Sequence, residues 1–281
     1  MPSLSFRLLN VFTCGEDRLS GNPLCVFEDA RALDTDTMQA LALQFNLSET
    51  TFVLPSTQAS ARVRIFTPSY EMPFAGHPTL GTAFVCRALG LCEDEAKLEM
   101  AAGIIGVKAT GRRWTLQANP ATSRPCEASA AQLAEMLGLT EDDIDSKPLW
   151  VKAGKEQLII PLRSEKAVRA AKPNATKFAA VRSEDGHSMA YIFARLAPGR
   201  LLGRFFFPQG NAILEDPATG SATANLGGWL LAKEPGIRHS FEIDQGEYVG
   251  RPSKLFLDVE TDGRIFVAGD VIEIGRGMLD L

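Results

Sequence analysis

Three side chains stand where they could hold or move a proton: Glu49 in NLSETTF (46–52), His77 in AGHPTLGTAF (75–84) and Asp216 in EDPATGSATAN (215–225). Glu49 falls between a predicted helix and a predicted strand, next to apolar Leu47 and Phe52. A carboxyl partly withdrawn from water there has a raised pKa and suits general acid–base work, although the spacing alone favours a solvated glutamate. His77 and Asp216 occupy matching places in a pattern that occurs twice. Aligning them pairs Pro78 with Pro217, Gly81 with Gly220, Thr82 with Ser221 and Ala83 with Ala222, at an offset of 216 − 77 = 139, close to half of the 281-residue chain.

Each copy enters an apolar helix, and a helix start leaves backbone N–H groups unpaired and carries partial positive charge. With Gly81 and Gly220 expected in the first turns and the hydroxyls of Thr82 and Ser221 beside them, two such starts could bind a substrate carboxylate. If the halves are related by a pseudo-twofold, both starts would face one cleft. The competing readings are that Asp216 is a helix cap before proline, that His77 is a hydrogen-bonded turn residue, and that Gly, Ala and Pro recur at helix starts by chance.

The elements that must position these groups follow from periodicity. FRLLNVF (6–12) and NPLCVFED (22–29) read as a hairpin around a polar turn. Asp34 or Asp36 caps a helix with Met38, Leu41, Ala42 and Phe45 on one face, and Asn46 stops it. ETTFVLP and RVRIFT alternate as strands. The next helix, from about Pro78 to Leu89, has almost no polar face and is expected to be buried on all sides. Residues 98–119 read as strands with glycine turns. A second domain is expected from residue 119, opening with a helix capped by Ser129 and ended by Gly138. Strands LWVKA, QLIIPL, MAYIFARL and GRFFFP, with a helix near 164–171, lead to the second apolar helix. FEIDQ, KLFLDVE and RIFVAGDVIEIG read as strands after it.

The 29 basic and 34 acidic residues, net charge −5, contain no Lys/Arg block of the kind a nucleic-acid groove needs. The N-terminal stretch lacks a leader's cleavage pattern and no apolar run reaches about 18 residues, so a cytoplasmic chain with no membrane partner is expected. Five cysteines without a C-x-x-C pair and three scattered histidines suggest no metal, and no nucleotide-binding or serine-hydrolase motif is present.

In combination and order, SGNPLCVF, NLSETTF, FAGHPTLGTAF, EDPATGSATANL and QGEYVGRPS resemble the motifs of the PhzF-like phenazine-biosynthesis family, from about residue 6 to residue 277. The resemblance implies an α+β, diaminopimelate-epimerase-like fold: two pseudo-symmetric domains, each a curved, barrel-like sheet around a central helix, with the active site between them. The expected domains are 1–118, rejoined by a final strand at about 266–281, and 119–265. It further implies a cofactor-independent isomerase that moves a proton within a small unsaturated or cyclic carboxylate, with Glu49 as general acid and base, Asp216 and His77 as its catalytic partners, and Ser48, Gly76, Gly220 and Ser221 binding substrate. No metal or nucleotide is required, and a homodimer is expected by analogy with relatives. A racemase or epimerase of the same fold, or a non-catalytic binding protein, are the alternatives. The related racemases use two cysteines across the cleft, and Cys86, inside the helix, disfavours that pair.

Overall fold

Alternating apolar residues build β1 (Ser3–Val11) and β2 (Asn22–Phe27) into an antiparallel hairpin. The computed structural model describes residues 3–145 and 147–281, and the chain divides into two compact units, Met1–Gln117 with Ala268–Leu281, and Ala118–Val267.

In the first unit, α1 (Thr35–Phe45) begins at Asp34, whose carboxylate accepts from Thr37 N–H at 2.8 Å, and ends at Asn46 in the left-handed conformation that Asn tolerates. The chain then returns as β3 (Thr50–Leu54), parallel to β2. β4 (Ala61–Phe66) pairs with it antiparallel, and the short β5 (Glu71–Met72) folds back on β4. α2 (Gly76–Ala88) carries the chain across to β6 (Glu95–Met100), parallel to β4, and β7 (Gly103–Thr110) and β8 (Arg113–Gln117) follow antiparallel.

The second unit repeats this order. After β9 (Thr122–Pro125) and α3 (Ala130–Leu137), β10 (Leu149–Lys152) and β11 (Glu156–Pro161) form the hairpin. Helices α4 (Glu165–Ala170) and α5 (Ala175–Ala180) lead to β12 (Ala190–Ala197), parallel to β11. β13 (Arg200–Gln209) is antiparallel to β12, and β14 (Ala212–Asp216) folds back on β13. α6 (Gly220–Lys233) crosses to β15 (His239–Gln245), parallel to β13, and β16 (Ser253–Val259) follows. The duplicated motif is therefore embedded in a duplicated topology, with α2 and α6 in the same place.

The last strand, β17 (Ile265–Asp280), pairs with β1, and its Val271 N–H donates to Arg112 O at 3.1 Å beside β8. In the first unit this closes the sheet into a ring, β17–β1–β2–β3–β4–β6–β7–β8, which surrounds α2. A helix inside a ring has no solvent face, which is why its sequence shows no polar stripe. The sheet is drawn tight onto it: a β-carbon on Gly81 would stand 2.5 Å from Leu24 Cδ2 and 3.0 Å from Val11 Cγ2. Outside the ring, α1 covers an aromatic cluster in which Phe27 stacks on Phe52 at 5.0 Å and Phe66 meets Phe52 edge-on at 5.4 Å. Among the described residues no helix is long and apolar enough to cross a membrane.

The helix boundaries differ from expectation at one informative place. α2 starts at Gly76, two residues before the proline expected to open it. Pro78 is the third helical residue, still within the turn whose N–H groups have no intrahelical partner, so its missing N–H costs nothing. α6 starts at Gly220, three residues after Pro217. The two copies thus align as sequence but enter their helices at different depths.

Candidate active site

β3 decides where Glu49 points. Successive strand residues face opposite sides. Thr51 faces the interior of the ring, where its hydroxyl meets that of Thr82 on α2 at 2.9 Å, while Phe52 joins the cluster under α1. Glu49, two residues before Thr51, shares the interior side and arrives beside the first turn of α2. There its Oε2 lies 3.5 Å from His77 Nε2, with side-chain exposures of 16% for Glu49 and 7% for His77.

Burial raises the Glu49 carboxyl from 4.5 to about 7, offset in part by a hydrogen bond from Ser48. The Ser48 hydroxyl also lies 3.2 Å from Asn22 Oδ1 on β2. Desolvation outweighs the Ser48 hydrogen bond, so this group titrates near neutrality. The sequence reading left a solvated Glu49 open; the inward parity of β3 removes it.

The helix starts themselves are distinctive. Surface helices α1, α3, α4 and α5 are each capped by a side chain, from Asp34, Ser129, Ser164 and Asn174. The two central helices, α2 after Ala75 and α6 after Thr219, have no side-chain cap. The first turns at Gly76 and Gly220 thus lack the capping side chain that the other helices have, and a helix start of this kind suits a carboxylate.

In the second unit Asp216 is not the cap of α6. It ends β14, and its Oδ2 accepts from Thr219 Oγ1 at 2.5 Å. Ser221, in the first turn, accepts from Gln157 Nε2 at 3.1 Å, and Gln157 in turn accepts from Asn225 at 2.8 Å. Within the first unit the structure brings together Glu49, Ser48, His77 and Gly76; within the second, Asp216, Gly220 and Ser221.

Two expected contributors have other tasks. Gly81 lies in the second turn of α2, and its missing side chain makes room for Leu24 and Val11 rather than for a ligand. The Thr82 hydroxyl is spent on Thr51. Two arginines of suitable charge for a substrate anion are also engaged. Arg124 forms a bidentate pair with Glu156 at 2.9 Å in both bonds, and Arg64 one with Glu71 at 2.7 and 2.6 Å.

A family model described as Phenazine biosynthesis-like protein matches residues 9–274. The chain belongs to this family. Among phenazine biosynthesis-like relatives, an uncharacterized isomerase of Pasteurella multocida is 37% identical, over 98% of this chain and 93% of the relative. The trans-2,3-dihydro-3-hydroxyanthranilate isomerase of Pseudomonas chlororaphis is 34% identical, over 94% of this chain and 95% of its own length. A crystal structure of a Bacillus anthracis phenazine biosynthesis protein of the PhzF family superposes with a TM-score of 0.88 at 24% identity, covering 100% of both chains. The fold is the α+β, diaminopimelate-epimerase-like one expected from the motifs, and the protein is an isomerase of this phenazine biosynthesis-like family.

Proposed function

We propose that this isomerase works without a cofactor, moving a proton between two carbons of a small cyclic or unsaturated carboxylate, with Glu49 as the single acid and base. The observation that carries the reading is the buried Glu49 carboxyl, titrating near 7 and 3.5 Å from His77. As carboxylate, Glu49 takes a proton from a carbon next to the conjugated system, and the C–H electron pair moves into that system. The protonated Glu49 then returns the proton at another carbon, restoring the carboxylate, so the product is an isomer and nothing else is consumed.

His77 holds Glu49 and steadies its charge. The uncapped turn at Gly76, with Ser48 beside it, and the one at Gly220 and Ser221 receive the substrate's carboxylate and polar groups, and Asp216 orients the reacting molecule. The second motif copy enters this reading through its likeness to the first. The protein is further proposed to act in the cytoplasm as a homodimer.

The duplicated topology favours one base over two. Thr50 pairs with Cys25 of β2 as Ala190 pairs with Leu158 of β11, which makes Met189 the counterpart of Glu49. Neither does a thiol serve: Cys86 is buried deep in α2, its pKa pushed up to about 12 by burial. A racemase that works from two faces of its substrate lacks its second base in this pattern.

The test uses trans-2,3-dihydro-3-hydroxyanthranilate and a panel of small cyclic carboxylates with the parent protein and Glu49→Gln in deuterium oxide, followed by proton NMR. Deuterium entering at the carbon that gains the proton, with the parent only, is the expected result. Exchange at a stereocentre with loss of optical rotation would instead identify an epimerase. Ligands that bind both proteins and never exchange would leave a binding protein.

A further inference from the structure

The QGEYVGRPS motif, residues 245–253, supplies no group to the chemistry above, yet its first residue is buried at 2% exposure beneath the turn that presents Asp216. Gln245 ends β15 and reaches that turn with both ends of its amide. Its Oε1 accepts from Thr219 N–H at 3.4 Å, and its Nε2 donates to Asp216 O at 2.9 Å and to Thr219 Oγ1 at 3.0 Å.

The main chain fixes which way round the amide lies. A backbone N–H can only donate and a carbonyl oxygen can only accept, so Oε1 must face Thr219 N and Nε2 must face Asp216 O. Nε2 therefore donates to the Thr219 hydroxyl. That hydroxyl has one hydrogen, and with its oxygen occupied as an acceptor the hydrogen is directed to Asp216 Oδ2, 2.5 Å away.

We infer that Gln245 and Thr219 are positioning residues that orient the Asp216 side chain and hold it as a hydrogen-bond acceptor, through a relay whose direction is set by the Gln245 amide. The inference rests on the proposed role of Asp216 in turnover. It separates the tasks of the two carboxyls: Glu49 exchanges a proton, while Asp216 remains an acceptor that takes an N–H or O–H of the substrate.

The rest of the motif keeps the relay in place. Gly246 has φ +82°, and a β-carbon there would stand 2.5 Å from Pro217 O and 2.2 Å from Arg251 O, so only glycine lets the motif close against the Asp-Pro turn. Arg251 N–H bonds back to Gly246 O at 3.0 Å, and the Ser253 hydroxyl donates to Arg251 O at 2.9 Å. This gives the Gly250–Ser253 segment a structural task that its sequence does not announce.

The test is a mutant cycle read in two ways on the full-length protein. The variants are Thr219→Ser, Thr219→Val, Gln245→Met, Gln245→Glu and Thr219→Val combined with Gln245→Met. In carbon-13 aspartate-labelled protein at pH 7, with the Asp216 carboxyl signal assigned by Asp216→Asn, Thr219→Val and both Gln245 variants are expected to displace that signal in the same direction. Thr219→Ser is expected to leave it in place. With a turned-over carboxylate from the panel, Gln245→Met and Thr219→Val should each lower kcat/KM about tenfold, and the double variant no further, as for residues in one network.

An Asp216 signal unmoved by Gln245→Met, or a double variant with fully multiplied losses, overturns the relay. Gln245→Met keeps the shape of the side chain, so loss of folding in Gln245→Glu alone leaves the test standing. The carboxyl signal needs no substrate. A displaced signal with Asp216→Ala fully active would therefore sink the proposed role of Asp216 while the relay itself survives.

Discussion

If Glu49 is buried as the structure has it, its ionisation must cost folding stability, and Glu49→Gln should reveal that cost as a function of pH. The carboxyl sits at about 7 in the folded protein against an ordinary value of 4.5. Between those values the folded state binds more protons than the unfolded state, so the stability of the parent falls as pH rises through that window. The penalty is nearly absent below pH 4.5 and levels off above pH 7 at about 3 kcal/mol, from roughly 1.4 kcal/mol for each unit of displacement. Between pH 5 and pH 8 the linkage relation gives a change of about 2–3 kcal/mol. Glutamine has the same shape and no such cost, so the stability difference between variant and parent should grow by that amount in favour of the variant. Urea unfolding of both proteins at half-unit pH intervals measures it, and titrating groups that do not interact with Glu49 cancel in the difference. Repeating the pair in a His77→Asn background separates any contribution of the imidazole. A difference that stays flat to within about 0.5 kcal/mol would refute the argument, because it would mean that Glu49 titrates as it does in water.

The other expectations are briefer. His77→Asn should slow substrate deuterium exchange about 100-fold while cooperative unfolding is retained, as expected for a group acting on the base; unaltered exchange would make His77 a packing residue. Gly81→Ala should cost about 1–3 kcal/mol in denaturant unfolding, because its methyl would enter the contact with Leu24 and Val11. Glu215→Ala leaves the buried guanidinium of Arg204 without its bidentate partner at 3.1 and 2.7 Å and should cost about 3–5 kcal/mol in denaturant unfolding. Light scattering at micromolar concentration should give the mass of two chains, and a single-chain mass would exclude the homodimer.

Much of the fold is legible because its signals are local. Asp34 and Asn46 bound α1, Ser129 and Gly138 bound α3, and alternation marks the longer strands. β5 has only two residues, β9 and β14 bury no residue fully and so show no inward face, and α5, from Ala175 to Ala180, buries only Phe178. The site is legible as residue types and less so as environment. The burial of Glu49 depends on which side of β3 the ring places α2, a non-local outcome. The same holds for Thr82, whose partner Thr51 is 31 residues away, and for Gln245, 26 residues from Thr219. Gln245 did leave a trace, as a polar residue closing the strand FEIDQ immediately before a glycine. Arg204 and Glu215, which also tie β13 and β14 to the end of α4 through Arg204 bonds to Val168 O and Ala171 O at 2.9 Å, left none.

The hydroxyl pair between Thr51 and Thr82 bears on how such an enzyme can diversify. Thr51 is two residues from Glu49 and Thr82 five from His77, so one buried bond sets the alignment of the two segments that carry these side chains. The spacing of Glu49 and His77 is thereby stored in the interior, away from the surface loops. Those loops can drift in sequence, and preference for one molecule can be exchanged for another, without recalibrating the distance on which the proposed proton transfer depends. A lineage built this way inherits its chemistry with its core and acquires its substrates at the rim.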